Sequence, residues 1–209
     1  MNRAETTRYL SLLLQIYLNP HNDPRIYTAR EVTFDYATGH SIRVDFMRFA
    51  PVNNSVSGIE KGDFYCYEVK SSVEDFHSKN GHNMIGDFNY YVMPLDVYEK
   101  ISNEIPFRVG VYVPEDKGGL TESLRMIKKA RRIDRSRCAT EMLLMMFRSS
   151  NRDLVRGKND VEQFAKDLML NLDEDMSAYR SSGQALTDIY GWLESYLNDK
   201  TGYKMKSFF

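Results

Sequence analysis

The sequence predicts an α/β protein with a mixed central sheet, a core of order αβββαβ and a helical extension at its C-terminal end. Three observations lead to this prediction. Apolar residues recur at helical spacing over residues 3–18. β-rich runs separated by turns and short helical patterns fill the chain up to about residue 113. Beyond Gly118 and Gly119 only helical patterns remain.

The elements of the predicted core follow in order. A helix over residues 3–18 ends at Asn19-Pro20, because proline stops the helical pattern. Two β-rich runs, at residues 32–36 and 42–46, flank a Gly-His turn and indicate a hairpin. A polar stretch over residues 51–62 is expected to be a long loop, and residues 64–70 form the third strand.

The second half of the core begins at Ser72, a residue suited to cap a short helix that ends near Asn80. Further elements are a strand, a proline-opened helix and a strand, at residues 88–93, 94–101 and 107–113. We expect helices at about 121–149, 159–171 and 183–198 in the extension. The predicted division is therefore an α/β core at residues 1–116 and a helical extension at 117–209.

Composition limits the kinds of protein this chain can be. With 28 basic and 29 acidic residues the formal net charge is −1, so any attraction for phosphate must be local. The two cysteines form no metal-binding motif and fit a reducing compartment. No apolar run is long enough for a membrane span, and we expect a cytoplasmic protein without membrane association.

The residues that carry chemistry are Asp45, Glu68 and Lys70. Glu68 and Lys70 are two apart in a strand and therefore project from the same face, whereas Val69 turns into the core. If the second and third strands are neighbours, Asp45 reaches the same place. Two carboxylates are the oxygen ligands that Mg²⁺ or Mn²⁺ takes, and a neighbouring lysine can orient an attacking water or balance charge on a phosphate.

The order of these motifs resembles the PD-(D/E)XK nuclease superfamily, whose fold is the restriction-endonuclease-like αβββαβ core. The resemblance is carried by Val44-Asp45, by Tyr67-Glu68-Val69-Lys70, by the helix that follows and by the strand ending Tyr91-Val92-Met93-Pro94. It is nearest to the MmcB-type branch, linked to DNA repair, through Ser71-Ser72, Asp75-Phe76 and Lys79. About half of the chain, residues 25–114, is covered.

The resemblance implies a Mg²⁺- or Mn²⁺-dependent nuclease that hydrolyses phosphodiester bonds, with DNA the favoured substrate. Asp45, Glu68 and the backbone carbonyl of Val69 would bind the metal, and Lys70 would position the water. Three further residues are candidates for the site, against the plainer interpretation that they are solvated or structural: Glu31, Lys79 and His82.

A basic stretch is the candidate surface for nucleic acid, and consists of Lys128, Lys129, Arg131, Arg132, Arg135 and Arg137. Its other interpretation is a charged helix face that keeps the protein in solution. The Met-rich run that follows, residues 142–147, suits a buried helix or a homodimer contact.

Two other functions stay open at the level of sequence. The first is a nucleic-acid-binding or assembly protein that keeps the nuclease fold without turnover. The second is a structural or interaction protein, for which the three charged residues would be a coincidence.

Overall fold

A computed structural model of the chain describes residues 2–21, 23–36, 38–116 and 122–176. The chain divides into two compact units, Met1–Leu154 and Val155–Phe209. The first unit contains the sheet and its helices. In the second unit the described residues continue a helix to Met176, and the helix predicted at 183–198 lies outside the described residues.

The elements alternate between helices and strands along the described chain. The helices are α1 (Arg3–Leu18), α2 (Val56–Glu60), α3 (Val73–Phe76), α4 (Leu95–Ile101) and α5 (Ala139–Met176). The strands are β1 (Tyr27–Phe34), β2 (Ile42–Ala50), β3 (Asp63–Val69), β4 (Phe88–Val92), β5 (Gly110–Asp116) and β6 (Glu122–Lys128).

The six strands form one mixed sheet in the order β1-β2-β3-β4-β5-β6. Strands β1, β2 and β3 pair antiparallel, β3, β4 and β5 pair parallel, and β6 returns antiparallel to β5. The parallel pairs need crossover connections, which contain α3 and α4. The predicted α/β class, its mixed sheet and its C-terminal helix are confirmed.

Helix α1 covers one face of the sheet. It begins in a capping box, in which Asn2 accepts the Glu5 N–H at 2.9 Å and the Glu5 carboxylate accepts the Asn2 N–H at 2.8 Å. Four leucines bury one side of the helix against apolar residues of β2 to β6, namely Phe46, Tyr67, Val69, Tyr90, Val92, Tyr112 and Leu124. Burial of this face fixes the register of the strands, since a slip of one residue would turn the apolar set outward.

The opposite face carries two separate apolar clusters. One lies under the start of α5 and includes Met47, Phe64 and Cys66 from β2 and β3. The other lies under α4 and includes Tyr91 and Val111 from β4 and β5. Met142 and Met146 are buried in the first cluster, so this part of the Met-rich run is core, whereas Leu144 and Phe147 are exposed. A homodimer contact there stays a prediction.

Two sequence-based expectations were wrong in this unit. Residues 122–128 form strand β6 rather than the start of a helix, because pairing with β5 outweighs the helical preference of Leu124, Arg125 and Met126. The sheet unit therefore extends past the boundary predicted at residue 116. The stretch 51–62 contains the short helix α2, which Ser55 caps by accepting the Gly58 N–H at 3.0 Å.

None of the described helices combines the length and the apolar character that crossing a bilayer requires.

Asp87 joins the start of β3 to the chain that follows β6. Its carboxylate, 3% exposed, accepts the Phe64 N–H at 2.9 Å and pairs with Arg135 at 2.8 Å and Arg132 at 3.4 Å. A buried carboxylate with an N–H donor and two guanidinium groups is well compensated. This contact holds the segment between β6 and α5 against the sheet.

We expect Asp87→Ala to lower the free energy of unfolding by about 3 kcal/mol, because it leaves Arg135 and the Phe64 N–H without their buried acceptor. Urea denaturation measures the loss. Asp96→Ala is the matched control, since Asp96 is exposed and lies 3.8 Å from Lys100, and it should change stability by less than about 0.5 kcal/mol. Equal stability of the two variants would contradict this assignment.

Candidate metal and phosphate site

The candidate site lies where strand β3 ends. Residues along β3 alternate between the two faces of the sheet, with Tyr67 and Val69 packed under α1. Cys66 packs in the cluster under α5, so Glu68 and Lys70 follow it on that face. Both charged residues are buried, at 4% and 2% exposure. Across the sheet, Glu68 lies beside Tyr91, a member of the other cluster, so it occupies the gap between the two.

Asp45 reaches this place from the neighbouring strand. Regular pairing of β2 with β3 ends at Phe46 and Tyr67, so the next residue of each strand is Asp45 and Glu68. Beyond this point a side chain replaces the backbone carbonyl as acceptor, because Asp45 Oδ2 accepts the Val69 N–H at 2.9 Å. Asp45 also lies close enough to Glu68 for the charge of one carboxylate to act on the other. The two carboxylates are brought together.

Glu68 has little compensation for its charge. Its Oε1 accepts one long hydrogen bond, 3.3 Å from Asn83 Nδ2. The structure records no ion pair within 4.0 Å for Glu68 among the described residues. Burial, followed by repulsion from Asp45, raises the pKa of Glu68 from 4.5 to about 8. Burial also raises the pKa of Asp45, although the Val69 N–H opposes the effect.

Lys70 is held by backbone carbonyls. Its Nζ donates to Asn80 O at 2.6 Å and to Asp75 O at 3.3 Å. Gly81, at φ +71°, lies against the pair, because a Cβ at this position would be 2.9 Å from Lys70 Nζ and 3.0 Å from Glu68 Oε2. Burial lowers the pKa of Lys70, and the nearby carboxylates oppose that effect. The ammonium is thus fixed next to Glu68.

The donor set of the site suits a hard divalent cation. Burial with little compensation raises the pKa of the Asp45 and Glu68 carboxyls, and a divalent cation bound by them would favour their ionised forms. Within the described ranges, no group of three or more His, Cys, Asp or Glu side chains is arranged to hold a metal. Only two side-chain ligands are therefore on offer, which matches Mg²⁺, an ion that usually keeps several waters.

The three additional candidates have different positions. Glu31 lies between Arg30 and Val32, which pair with Phe46 and Val44 of β2, has φ +48°, and its carboxylate lies 3.8 Å from Arg152. His82 has a structural role, because its Nε2 donates to Phe76 O at 2.7 Å and its Nδ1 lies 2.6 Å from the Tyr91 hydroxyl. Lys79 is exposed in the loop after α3, next to the Asn80 carbonyl that holds Lys70.

The basic stretch lies in the end of β6 and the following segment, not on a helix. Most of its charges have internal partners. Lys128 donates to the Ile105 and Pro106 carbonyls at 3.1 and 3.0 Å, and Arg131 stacks 4.1 Å from the Phe107 ring centre. Arg132 and Arg135 pair with Asp63 or Asp87, Arg137 pairs with Asp35, and Lys129 is exposed.

Arg132 and Arg135 also lie far from the candidate site. They contact the start of β3, whereas Glu68 is near its end, about 15 Å further along at roughly 3.3 Å per residue. Delivery of nucleic acid by the basic stretch therefore stays a prediction that these two contacts do not favour.

Sequence reasoning did not assign a role to three residues around the site. Arg43 precedes Asp45 by two positions in β2, and its charge acts on both Asp45 and Glu68. Asn83 donates to Glu68 and also to the Arg43 carbonyl at 2.9 Å. The close approach of Gly81 to Lys70 depends on the loop conformation and left no signal in the sequence.

An apolar cavity of about 650 Å³ lies at the other end of β2, between Tyr27, Phe49, Ile59 and α5 residues Leu143 and Met146. It has no charged lining residue and is separate from the Asp45 and Glu68 carboxylates.

No family model and no curated protein matches the chain. A solved structure of a protein of unknown function from Silicibacter pomeroyi is similar, with a TM-score of 0.48 and 16% identity. The match covers 78% of this chain and 94% of the other. This likeness carries no argument about function.

The raised pKa of Glu68 predicts how stability depends on pH. Between pH 4.5 and about 8 the folded protein keeps a proton that the unfolded chain has lost. The free energy of unfolding should therefore fall as pH rises through this range, by at most about 1.4 kcal/mol per pH unit from this group. Glu68→Gln removes the effect, so its stability relative to the parent should rise from pH 5 to pH 8.

Urea denaturation in EDTA at several pH values measures that difference. Glu99→Gln, an exposed change of the same chemistry, should follow the parent at every pH. A pH-independent difference between Glu68→Gln and the parent would show that Glu68 is ionised in the folded state.

Gly81 supplies the second prediction from this site. Gly81→Ala should lower the free energy of unfolding by about 1–2 kcal/mol, because alanine is strained at φ +71° and its Cβ would displace Lys70 Nζ. Gly39→Ala is the control, since nothing lies within 4 Å of its added Cβ. Thermal denaturation compares the two variants. Equal Tm values would contradict the prediction, because they would mean that the loop around Gly81 accommodates a Cβ without loss of stability.

Proposed function

We propose that this protein is a Mg²⁺- or Mn²⁺-dependent nuclease that hydrolyses phosphodiester bonds of nucleic acid, with DNA the favoured substrate. One observation carries the proposal: the half-buried Asp45 carboxylate and the buried Glu68 carboxylate lie with the buried Lys70 ammonium at the end of β3. This is the arrangement that the resemblance to PD-(D/E)XK nucleases predicts.

Asp45 and Glu68 would hold the metal ion, with the Val69 carbonyl as a third ligand by the same resemblance. A divalent cation supplies a nucleophilic water at neutral pH and charge stabilisation on the phosphate oxygens. The Val69 N–H keeps Asp45 Oδ2 in place, so that the carboxylate is oriented before any ligand binds. Such preorganisation reduces the cost of ordering the site during the reaction.

Lys70 acts on the attacking water and on the charge that develops at the phosphate. Carbonyl oxygens of Asn80 and Asp75 fix its Nζ beside Glu68, at a position where it can donate a hydrogen bond to a water or to a phosphoryl oxygen. Because burial lowers its pKa, Lys70 holds its proton less tightly than an exposed lysine, and a larger fraction of it is the neutral amine that can take a proton from water. Lys79, exposed in the adjacent loop, is a further candidate for a phosphate contact.

A non-catalytic nucleic-acid-binding protein of the same fold is less well supported. Its natural surface would be the basic stretch, yet the charges of Arg132, Arg135 and Arg137 are satisfied by carboxylates of the same chain. Buried, uncompensated carboxylates also repel phosphate unless a cation is bound. The proposal includes that the protein acts on DNA in the cytoplasm, in repair, recombination or the processing of phage or mobile-element DNA.

Cleavage of labelled oligonucleotides in Mg²⁺ and Mn²⁺ tests the function. We expect activity to require the metal and to fall by about 10²–10⁴-fold in Glu68→Gln and Lys70→Met, because each removes a group that acts on the reacting atoms. Mn²⁺ should also raise the Tm of the parent by mass action and leave that of Glu68→Gln unchanged.

The control is again Glu99→Gln, which should cleave like the parent. Full activity of Glu68→Gln, or cleavage that persists in EDTA, would overturn the proposal.

A further inference from the structure

Arg43 is an exposed cation beside the two carboxylates. It lies in β2 opposite Thr33, two residues before Asp45, and its side chain is exposed. Its positive charge acts on both Asp45 and Glu68, where it counteracts part of the effect of burial. The guanidinium is therefore near both groups.

The backbone of Arg43 is fixed relative to Glu68. One amide, Asn83 Nδ2, donates to the Arg43 carbonyl at 2.9 Å and to Glu68 Oε1 at 3.3 Å. The loop that carries Asn83 is itself anchored, since His82 bonds to Phe76 O and to the Tyr91 hydroxyl. Arg43 thus starts from a rigid position at the rim of the site.

The guanidinium of Arg43 forms no hydrogen bond or ion pair with another residue in the described ranges. Arg3 and Arg135 differ in this respect, because Arg3 pairs with Asp75 at 2.7 Å and Arg135 with Asp87 at 2.8 Å. An exposed planar fork of donors matches an oxyanion that would lie between the guanidinium and a cation held by the two carboxylates. Phosphate has this geometry.

We propose that Arg43 binds a phosphate of the substrate backbone at the Asp45 and Glu68 site. This rests on the proposed nuclease function and specifies its ligand. The ligand is a phosphodiester polyanion, which Arg43 binds through the charge and geometry of a phosphate and not through the bases. The Asp45 and Glu68 carboxylates alone would repel phosphate, and a chain of net charge −1 has no overall attraction for it. The positive charge of Arg43 would supply that attraction at the site.

Fluorescence anisotropy with phosphorothioate-linked oligonucleotides tests this, because they keep the backbone charge and resist hydrolysis. Single-stranded DNA, duplex DNA and single-stranded RNA are titrated in Mg²⁺ over a range of salt. We expect Arg43→Gln to weaken binding of each probe about tenfold at low salt. On the duplex it should lower the slope of log affinity against log salt by about one.

Two variants sharpen the comparison. Arg43→Lys keeps the charge but loses the planar fork, so it should keep the parent's salt slope and recover only part of the affinity. Lys61→Gln removes an exposed charge just before the start of β3, at the opposite end of that strand from Glu68, and should bind like the parent. The Tm rise with Mn²⁺ should persist in Arg43→Gln, which shows that its metal ligands are intact.

Parent-like binding by Arg43→Gln, or an equal loss in Lys61→Gln, overturns the inference. A parent protein that binds through Arg43 but never cleaves in Mg²⁺ or Mn²⁺ supports the phosphate contact and overturns the nuclease function instead. A loss confined to one probe would show recognition of that nucleic acid's form, and would overturn the expectation of a backbone contact common to all three.

Discussion

The burial of the Glu68 carboxylate at the end of β3 is the constraint on which the candidate site depends. A carboxylate that is 4% exposed must be neutralised by a proton, a cation or hydrogen-bond donors. The surrounding residues compensate the charge of Glu68 only in part. Asn83 donates one long hydrogen bond, Lys70 donates its own hydrogen bonds to backbone carbonyls, and the neighbouring Asp45 carboxylate adds a second acidic group. In the absence of a ligand, retention of a proton by Glu68 resolves the conflict.

Such a conflict is informative because the same chain resolves an equivalent one completely elsewhere. Asp87, at 3% exposure, has a backbone donor and two guanidinium partners, and these bind the chain after β6 to the sheet. The two buried acids therefore differ in kind. Asp87 stabilises the fold, whereas Glu68 reduces stability at neutral pH, and a residue that reduces stability is expected where binding requires it.

Local patterns were sufficient to predict most of the fold. Helix α1 was predicted over the residues it occupies, and the period of two in β3 placed Glu68 and Lys70 on one face because that rule needs no tertiary information. Strand β6 was missed for the opposite reason. Leu124, Arg125 and Met126 favour helix, and only the open edge of β5, which the sequence does not display, makes them a strand.

The three charged residues of the candidate site could be named from the sequence, whereas their surroundings could not, and charge shows why. In the sequence, Lys128 to Arg137 is the densest run of positive charge, and density suggested a phosphate surface. In the fold those arginines meet Asp63, Asp87 and Asp35, which are distant in sequence and cancel much of the charge. Arg43 is a single arginine in a strand, so the sequence gives no reason to single it out, yet in the described ranges its guanidinium has no hydrogen-bond or ion-pair partner. What attracts a polyanion is the charge left after internal pairing, and that remainder is a property of the folded chain.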